Sequence, residues 1–169
     1  MQYILVSCFI FIFSAKSFSD DGAIKPMHHE LRGEMHFSWY FFDVYHIKFW
    51  APKGNAIFSK PLSLELKYKR KFSASEITNS SIDELKLNGV DQLELKKWKN
   101  KLQSIFPNIK VGDSILINFS PKDGLKFYLN RQKKLGGITD KRFVIAFMNI
   151  WLGEKTSEPK MRQNLLGES

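Results

Sequence analysis

Apolar and polar positions alternate most cleanly between Leu62 and Tyr68, where Leu62, Leu64, Leu66 and Tyr68 are interleaved with Ser63, Glu65 and Lys67. A period of two marks a strand with one face on a core and the other toward water. Ile115, Ile117 and Phe119 alternate with Ser114, Leu116 and Asn118 in the same way, until Ser120-Pro121-Lys122-Asp123-Gly124 breaks the pattern. Pro121 presets φ and Gly124 tolerates positive φ, so the chain is expected to reverse into a second strand, Leu125 to Asn130, forming a hairpin. Gly33 to Trp50 is the most aromatic stretch. It carries Met35, Phe37, Trp39, Phe41, Tyr45, Ile47 and Phe49 at odd positions and Tyr40, Phe42, Val44 and Trp50 at even ones. Such residues suit a pleated surface, which predicts one long strand, bulged near Asp43, with Ala51-Pro52-Lys53-Gly54 as the turn after it.

Elsewhere the period is helical. Ser73 and Glu76 form a capping-box pair that opens a helix directing Ile77, Ile82 and Leu85 at the sheet before Gly89. Leu95, Trp98, Leu102, Ile105 and Phe106 form one stripe of a second helix, with Lys96, Lys97, Lys99 and Lys101 outside it and Pro107 as its stop. After a basic turn at Arg131 to Lys134 and the flexible pair Gly136-Gly137, Thr139 stands as the expected N-cap of a third helix, with Asp140 in its first turn. There Phe143, Phe147, Ile150 and Trp151, widened by Val144 and Ala146, make a helix apolar nearly all round, closed by Gly153 as a C′ glycine. Ser157-Glu158-Pro159 opens a last short helix with Met161, Leu165 and Leu166 on one side before Gly167. Antiparallel strands with helices gathered on one face describe an α+β domain.

The 169 residues fit one domain. Residues 1–19 read as a secretory signal: Tyr3 to Phe13 is an apolar run too short to span a bilayer, followed by Ser14, Ala15, Ser17 and Ser19. The mature protein is then periplasmic or secreted, with a polar, loosely held arm over 20–32 and the domain over 33–169. Cys8, the single cysteine, lies inside that run, so cleavage leaves no thiol for a disulfide, a nucleophile or a metal. The net charge of +9 comes from lysines spread along the chain among carboxylates. This reads as solvated faces able to meet an anionic membrane surface, and the lack of any RNP strand, zinc finger or helix-turn-helix pattern argues against nucleic acid. His28, His29, Glu30, His36 and His46 show no zinc spacing, and neighbours on an extended arm point opposite ways, so neither a metal nor another cofactor is expected.

The segments VGDSILINFSPKDGLKFYLN, GGITDKRFVIAFMNIWLG and SEPKMRQNLLG, in this order, resemble the bacterial chalcone isomerase-like family. FFDVYHIKFWAP and LELKYKRKFSASEI extend the likeness over Gly33 to Gly167. The resemblance implies an open-faced sandwich, a large antiparallel sheet backed by helices on one face. For the family's enzymes it implies an intramolecular ring closure, in which an arginine stabilises a phenolate and threonine and tyrosine hydroxyls organise water at the enolate. Aligning Asp43-Val44-Tyr45 with the family's Gly-Val-Tyr puts Tyr40 where those enzymes carry threonine, and Arg32, the only upstream arginine, stands too close to that segment. No catalytic residue is therefore assigned, and no serine elbow, P-loop, dinucleotide fingerprint or H-E-x-x-H helix supplies one.

Non-enzymatic relatives of this fold bind fatty acids between sheet and helices, where a basic side chain and a tyrosine hydroxyl hold the carboxylate. A dry carboxylate needs such partners, because burying one unpaired costs several kcal/mol. Arg32, Arg70 and Lys126 are the candidates for charge, and Tyr40, Tyr45, Tyr68 and Tyr128 for hydroxyls. Lys126, Tyr128 and Asn130 form the preferred cluster, since they share a strand face and match the family's Phe-Tyr-x-Asn ending. The expectation is an exported, non-enzymatic module for a small apolar carboxylate or lipid. A chalcone isomerase-type enzyme and a partner-binding domain with a basic surface are its alternatives.

Overall fold

Residues 22–54 and 57–168 are described by a computed structural model; the expected signal over 1–19 lies outside them. Six strands are hydrogen-bonded to their sequence neighbours in one antiparallel sheet: β1 (Leu31–Trp39), β2 (Phe42–Trp50), β3 (Leu62–Tyr68), β4 (Ser114–Ser120), β5 (Gly124–Leu129) and β6 (Lys133–Ile138). Helices α1 (Ala74–Leu87) and α2 (Gln92–Ile105) are inserted between β3 and β4, and α3 (Lys141–Leu152) and α4 (Pro159–Leu166) follow β6. The helices lie on one face, which gives the open α+β sandwich.

The aromatic stretch expected as one strand is a hairpin instead. The chain folds back at Tyr40-Phe41, Trp39 pairs with Phe42, and the register slips by one residue between the Phe37–Tyr45 and Ser38–Asp43 pairs. This slip explains the sequence pattern. A two-residue turn alone would pair odd with even positions, but the extra residue in β2 restores odd against odd, so the core-facing alternation runs unbroken through the reversal. Tyr40, with φ of 53°, takes a backbone conformation that hairpin turns ordinarily give to glycine or asparagine.

Three further expectations change. Gly136 and Gly137 are not a flexible pair but strand residues of β6, opposite Phe127 and Lys126. A Cβ on Gly136 would stand 2.9 Å from Ile105 Cγ1, so the missing side chain is what lets α2 reach the sheet. The N-cap of α3 is Asp140 rather than Thr139; its carboxylate accepts from the backbone N–H of Arg142 at 3.0 Å and of Phe143 at 3.4 Å. Gly153 closes α3 at φ of −77°, which is not left-handed, and a side chain there would collide with the Asn149 carbonyl. The Ser73–Glu76 capping box of α1 is formed as expected.

Between the layers, ring contacts form a chain. Phe106 of the α2 cap meets Phe127 of β5 at 5.9 Å, Phe127 meets Phe147 of α3 at 5.7 Å, and Phe147 meets Trp151 at 5.5 Å. Phe127, Phe143 and Phe147 are essentially inaccessible to water, each burial contributing about 1.5–3 kcal/mol. The opposite face of β3 and β4 is not simply wet. The arm, expected to be loosely held, crosses it: Met27 N–H donates to Ser63 Oγ at 2.9 Å, Ser63 Oγ–H to Asn118 Oδ1 at 2.6 Å, and Asn118 Nδ2–H to the Lys25 carbonyl at 3.2 Å. Arg131 ties the same face together by donating to both carboxylate oxygens of Glu65, at 2.8 and 2.6 Å.

Candidate functional site

The aromatic ring chain ends at a void. A cavity of about 560 Å³ opens where α1, the end of α3 and the start of α4 arch over the first three strands. Its floor is a row across the sheet: Phe37 of β1 beside Tyr45 of β2 (5.1 Å between rings), Tyr45 beside Tyr68 of β3 (6.0 Å), and Tyr68 beside Phe72 (5.7 Å). Tyr45 and Tyr68 are directly paired in the sheet register, which brings both hydroxyls to one place. Ile150, Trp151 and Met161 form the wall, and Ile77, Ser81 and Glu84 line it from α1. These last three are spaced four and three apart on one helical face. The polar members of that face are what weaken the apolar period of α1.

The two hydroxyls differ. Tyr45 Oη accepts the indole N–H of Trp151 at 3.3 Å and, among the described residues, has only the Met161 thioether, at 4.0 Å, to donate to. Tyr68, 6 % exposed, makes no hydrogen bond from its hydroxyl to any described residue. Burial raises the pKa of both phenols, helped for Tyr68 by Tyr45, so both stay protonated hydrogen-bond donors rather than bases.

Charge is arranged along the length of α1. Near its start, the exposed residues Arg70, Glu76 and Ser80 form the mouth of the cavity. Arg70 lies with its guanidinium carbon 4.7 Å from the centre of the Phe42 ring and has no ion pair within 4.0 Å among the described residues. Two turns on, Ser157 Oγ–H donates to Glu84 Oε1 at 2.7 Å, while Glu84 Oε2 is shielded from water without a partner. The neighbouring Glu158 carboxyl is raised above the usual range, first by burial and then by the Glu84 charge. Among the described residues, the cavity therefore has its one lining cation, Arg70, beside Glu76 at the mouth, neutral hydroxyl donors in the middle and the acids Glu84 and Glu158 at the other end.

Of the residues singled out from the sequence, the structure brings Tyr45, Tyr68 and Arg70 together at this cavity. Lys126 and Tyr128 alternate with the buried Leu125 and Phe127 and so face the opposite side of the sheet, where Lys126 Nζ lies 3.4 Å from Asp123. Asn130 latches a turn, accepting from Ser114 N–H at 2.8 Å and donating to Asp113 at 2.9 Å. Arg32 clamps the ends of the fold, donating to the carbonyls of Leu166, Pro52 and Gly54. Tyr40 stands at the hairpin tip. Trp151, Glu84, Glu158 and Met161 were not foreseen: each reads as ordinary helix composition, and only the packing of α1, α3 and α4 brings them together. Among the described residues, no three His, Cys, Asp or Glu side chains are grouped to hold a metal. His36 and His46 instead stack at 4.1 Å, with His46 Nε2 3.3 Å from Glu34.

Comparison with known proteins agrees with this architecture. A family profile described as chalcone isomerase-like matches residues 28–167. A protein of Haemophilus influenzae, described only as uncharacterized, is 24% identical over 138 residues, covering 81% of this chain and 67% of that protein. The crystal structure of a fatty-acid binding protein of Arabidopsis thaliana superposes with a TM-score of 0.65 at 13% identity, over 85% of this chain and 91% of that one. At that identity the likeness is one of fold.

Proposed function

This chain belongs to the chalcone isomerase-like family, and from that premise we propose that it is a non-enzymatic module that takes a small apolar carboxylate, fatty-acid-like in chemistry, into the cavity between sheet and helices. The observation that carries the proposal is Tyr68, whose side chain is more than nine-tenths buried and lines the cavity, and whose hydroxyl, reachable from the cavity, has no partner among the described residues. Water meets this donor while the cavity is empty, and a carboxylate on a guest takes the water's place, a hydrogen bond to a charged group contributing about 1.5–3 kcal/mol. The cavity size falls within the usual range for small-molecule sites.

Charge orients the guest. Its head lies toward Arg70, which is within electrostatic reach of Glu76 but has no ion pair within 4.0 Å among the described residues, and its chain runs along Leu66, Ile150 and Trp151. The reverse orientation would set one carboxylate against Glu84 and Glu158. The fold-level likeness to a fatty-acid binding protein supports the same class of guest. Ring closure gains no support from the geometry, because Tyr40 and Arg32 lie outside the cavity and the phenols within it are held protonated. We further infer export to the periplasm or beyond, from the apolar run at the start of the chain.

The test is laurate binding by calorimetry together with mass spectrometry of the natively purified protein. Acyl chains are expected to copurify. Tyr68→Phe is expected to weaken laurate binding about tenfold while leaving the melting temperature of the unliganded protein unchanged, since the hydroxyl makes no hydrogen bond to the described residues. Protein that neither carries acyl chains nor binds laurate would overturn the proposal.

A further inference from the structure

We propose that the tip of the β1–β2 hairpin docks on an anionic lipid bilayer, with Tyr40, Phe41 and Phe42 seated in the interface and Lys69, Arg70 and Lys71 against the headgroups. These three consecutive aromatic residues are 82%, 96% and 57% exposed. A cluster of this kind is unusual on a surface that has no use for it, and it is built at a cost. Tyr40 occupies the left-handed region, where a glycine or asparagine would make the same turn with less strain and without the exposed ring. The rings stand at the end of a hydrogen-bonded ribbon, so their presentation is fixed by the sheet.

The adjacent cations make the patch specific. Lys69 N–H donates to the Val44 carbonyl at 2.9 Å, which holds the segment leaving β3 against the start of β2, and Arg70 packs over the Phe42 ring. Neither Lys69 nor Lys71 has an ion pair within 4.0 Å among the described residues. The facing acids are Asp43, which accepts from Ser38 Oγ–H at 2.7 Å, and Glu76 across the cavity mouth. Aromatic rings flanked by Lys and Arg match the chemistry of a bilayer interface, where rings sit at headgroup depth and cations meet anionic lipid. Arg70 and Val44 belong to both the patch and the cavity lining, so docking would set the mouth of the cavity against the lipid.

The experiment is sedimentation of the full chain with vesicles of phosphatidylcholine containing 30% phosphatidylglycerol, against phosphatidylcholine alone. Binding to the anionic vesicles is expected to fall at least tenfold in the Phe41→Asp/Phe42→Asp double variant, and again in Lys69→Glu/Lys71→Glu, which leaves the rings in place. It is also expected to fall when sodium chloride is raised from about 50 to 500 mM. Both variants alter exposed side chains, and an unchanged melting temperature establishes that they fold. Retained laurate binding in the single variant Phe41→Asp, which leaves the Phe42 ring against Arg70, separates failure of docking from failure of the cavity to take a guest. Equal binding by wild type and both variants, no binding to anionic vesicles, or a dimer in sedimentation velocity that Phe41→Asp/Phe42→Asp dissolves without any vesicle binding would overturn the proposal.

Discussion

Glu158 shows how a single residue couples the cavity to pH. Its carboxyl is raised by burial and by Glu84, so the folded state holds a proton more tightly than the unfolded chain. The stability contribution of such a group is full below the ordinary glutamate range and declines as pH rises through the folded value. Glu158→Gln removes this decline. The melting temperature of the variant relative to wild type is therefore expected to climb between pH 4 and pH 8, as a thermal scan across buffers would show. A flat difference would mean that Glu158 is solvated in both states. A guest that strips water from this pair favours the protonated form further, so laurate affinity should rise from pH 8 to pH 6. At this scale the sequence was only partly informative. It offered Tyr45, Tyr68 and Arg70 among eight candidates, but nothing in their spacing separates them from Lys126 or Arg32. Selection came from which face of the sheet each strand position occupies and from what packs over it.

Among the elements, the contact of β1 with α4 is the least forgiving. A Cβ on Gly33 would fall inside the van der Waals envelope of the Asn164 and Leu165 carbonyl oxygens, because the last helix lies directly on the edge strand. Gly33→Ala must push α4 away, and with it Met161, which accepts from Tyr45 in the cavity wall. The expected cost is roughly 2–3 kcal/mol, comparable to overpacking a core, and a denaturant titration reads it directly. Laurate affinity should fall with it. Helix and strand identities were legible because burial imposes periods of 3.6 and 2 on the residues themselves. The hairpin at Tyr40-Phe41 was hidden because its bulge kept the alternation in phase and its turn carries no glycine or asparagine. β6 was hidden because glycine weakens strand propensity, and here Gly136 is required by the approach of α2 rather than by a turn.

Taken as a whole, the molecule places its void at one end of an otherwise filled interior. The rings of α3, α2 and β5 pack against one another, and between the layers the space that holds Tyr45 and Tyr68 opens past Trp151, beneath α1. Ligand binding there couples to global unfolding by mass action. At about one hundred times the dissociation constant, laurate should stabilise the fold by about 2.7 kcal/mol, equivalent to a rise of roughly 5–10 °C in melting temperature for a domain of this size. Differential scanning fluorimetry measures this, and Tyr68→Phe should reduce the shift.

The sequence by itself determined the α+β class, the clean strands, the helix cap at Ser73, the helix start at Pro159, and the family, because these depend on local periodicity and on the order of short segments. The tertiary structure alone decided that Tyr45 and Tyr68 face each other across paired strands, that Glu84 and Glu158 share one end of a cavity, and that Lys126 and Tyr128 lie on the far side of the sheet. Those facts depend on the stagger between strands and on the height at which α1 crosses them. Both are fixed by the packing of residues distant in sequence, Gly33 on α4 and Gly136 on α2 among them, which no local pattern encodes.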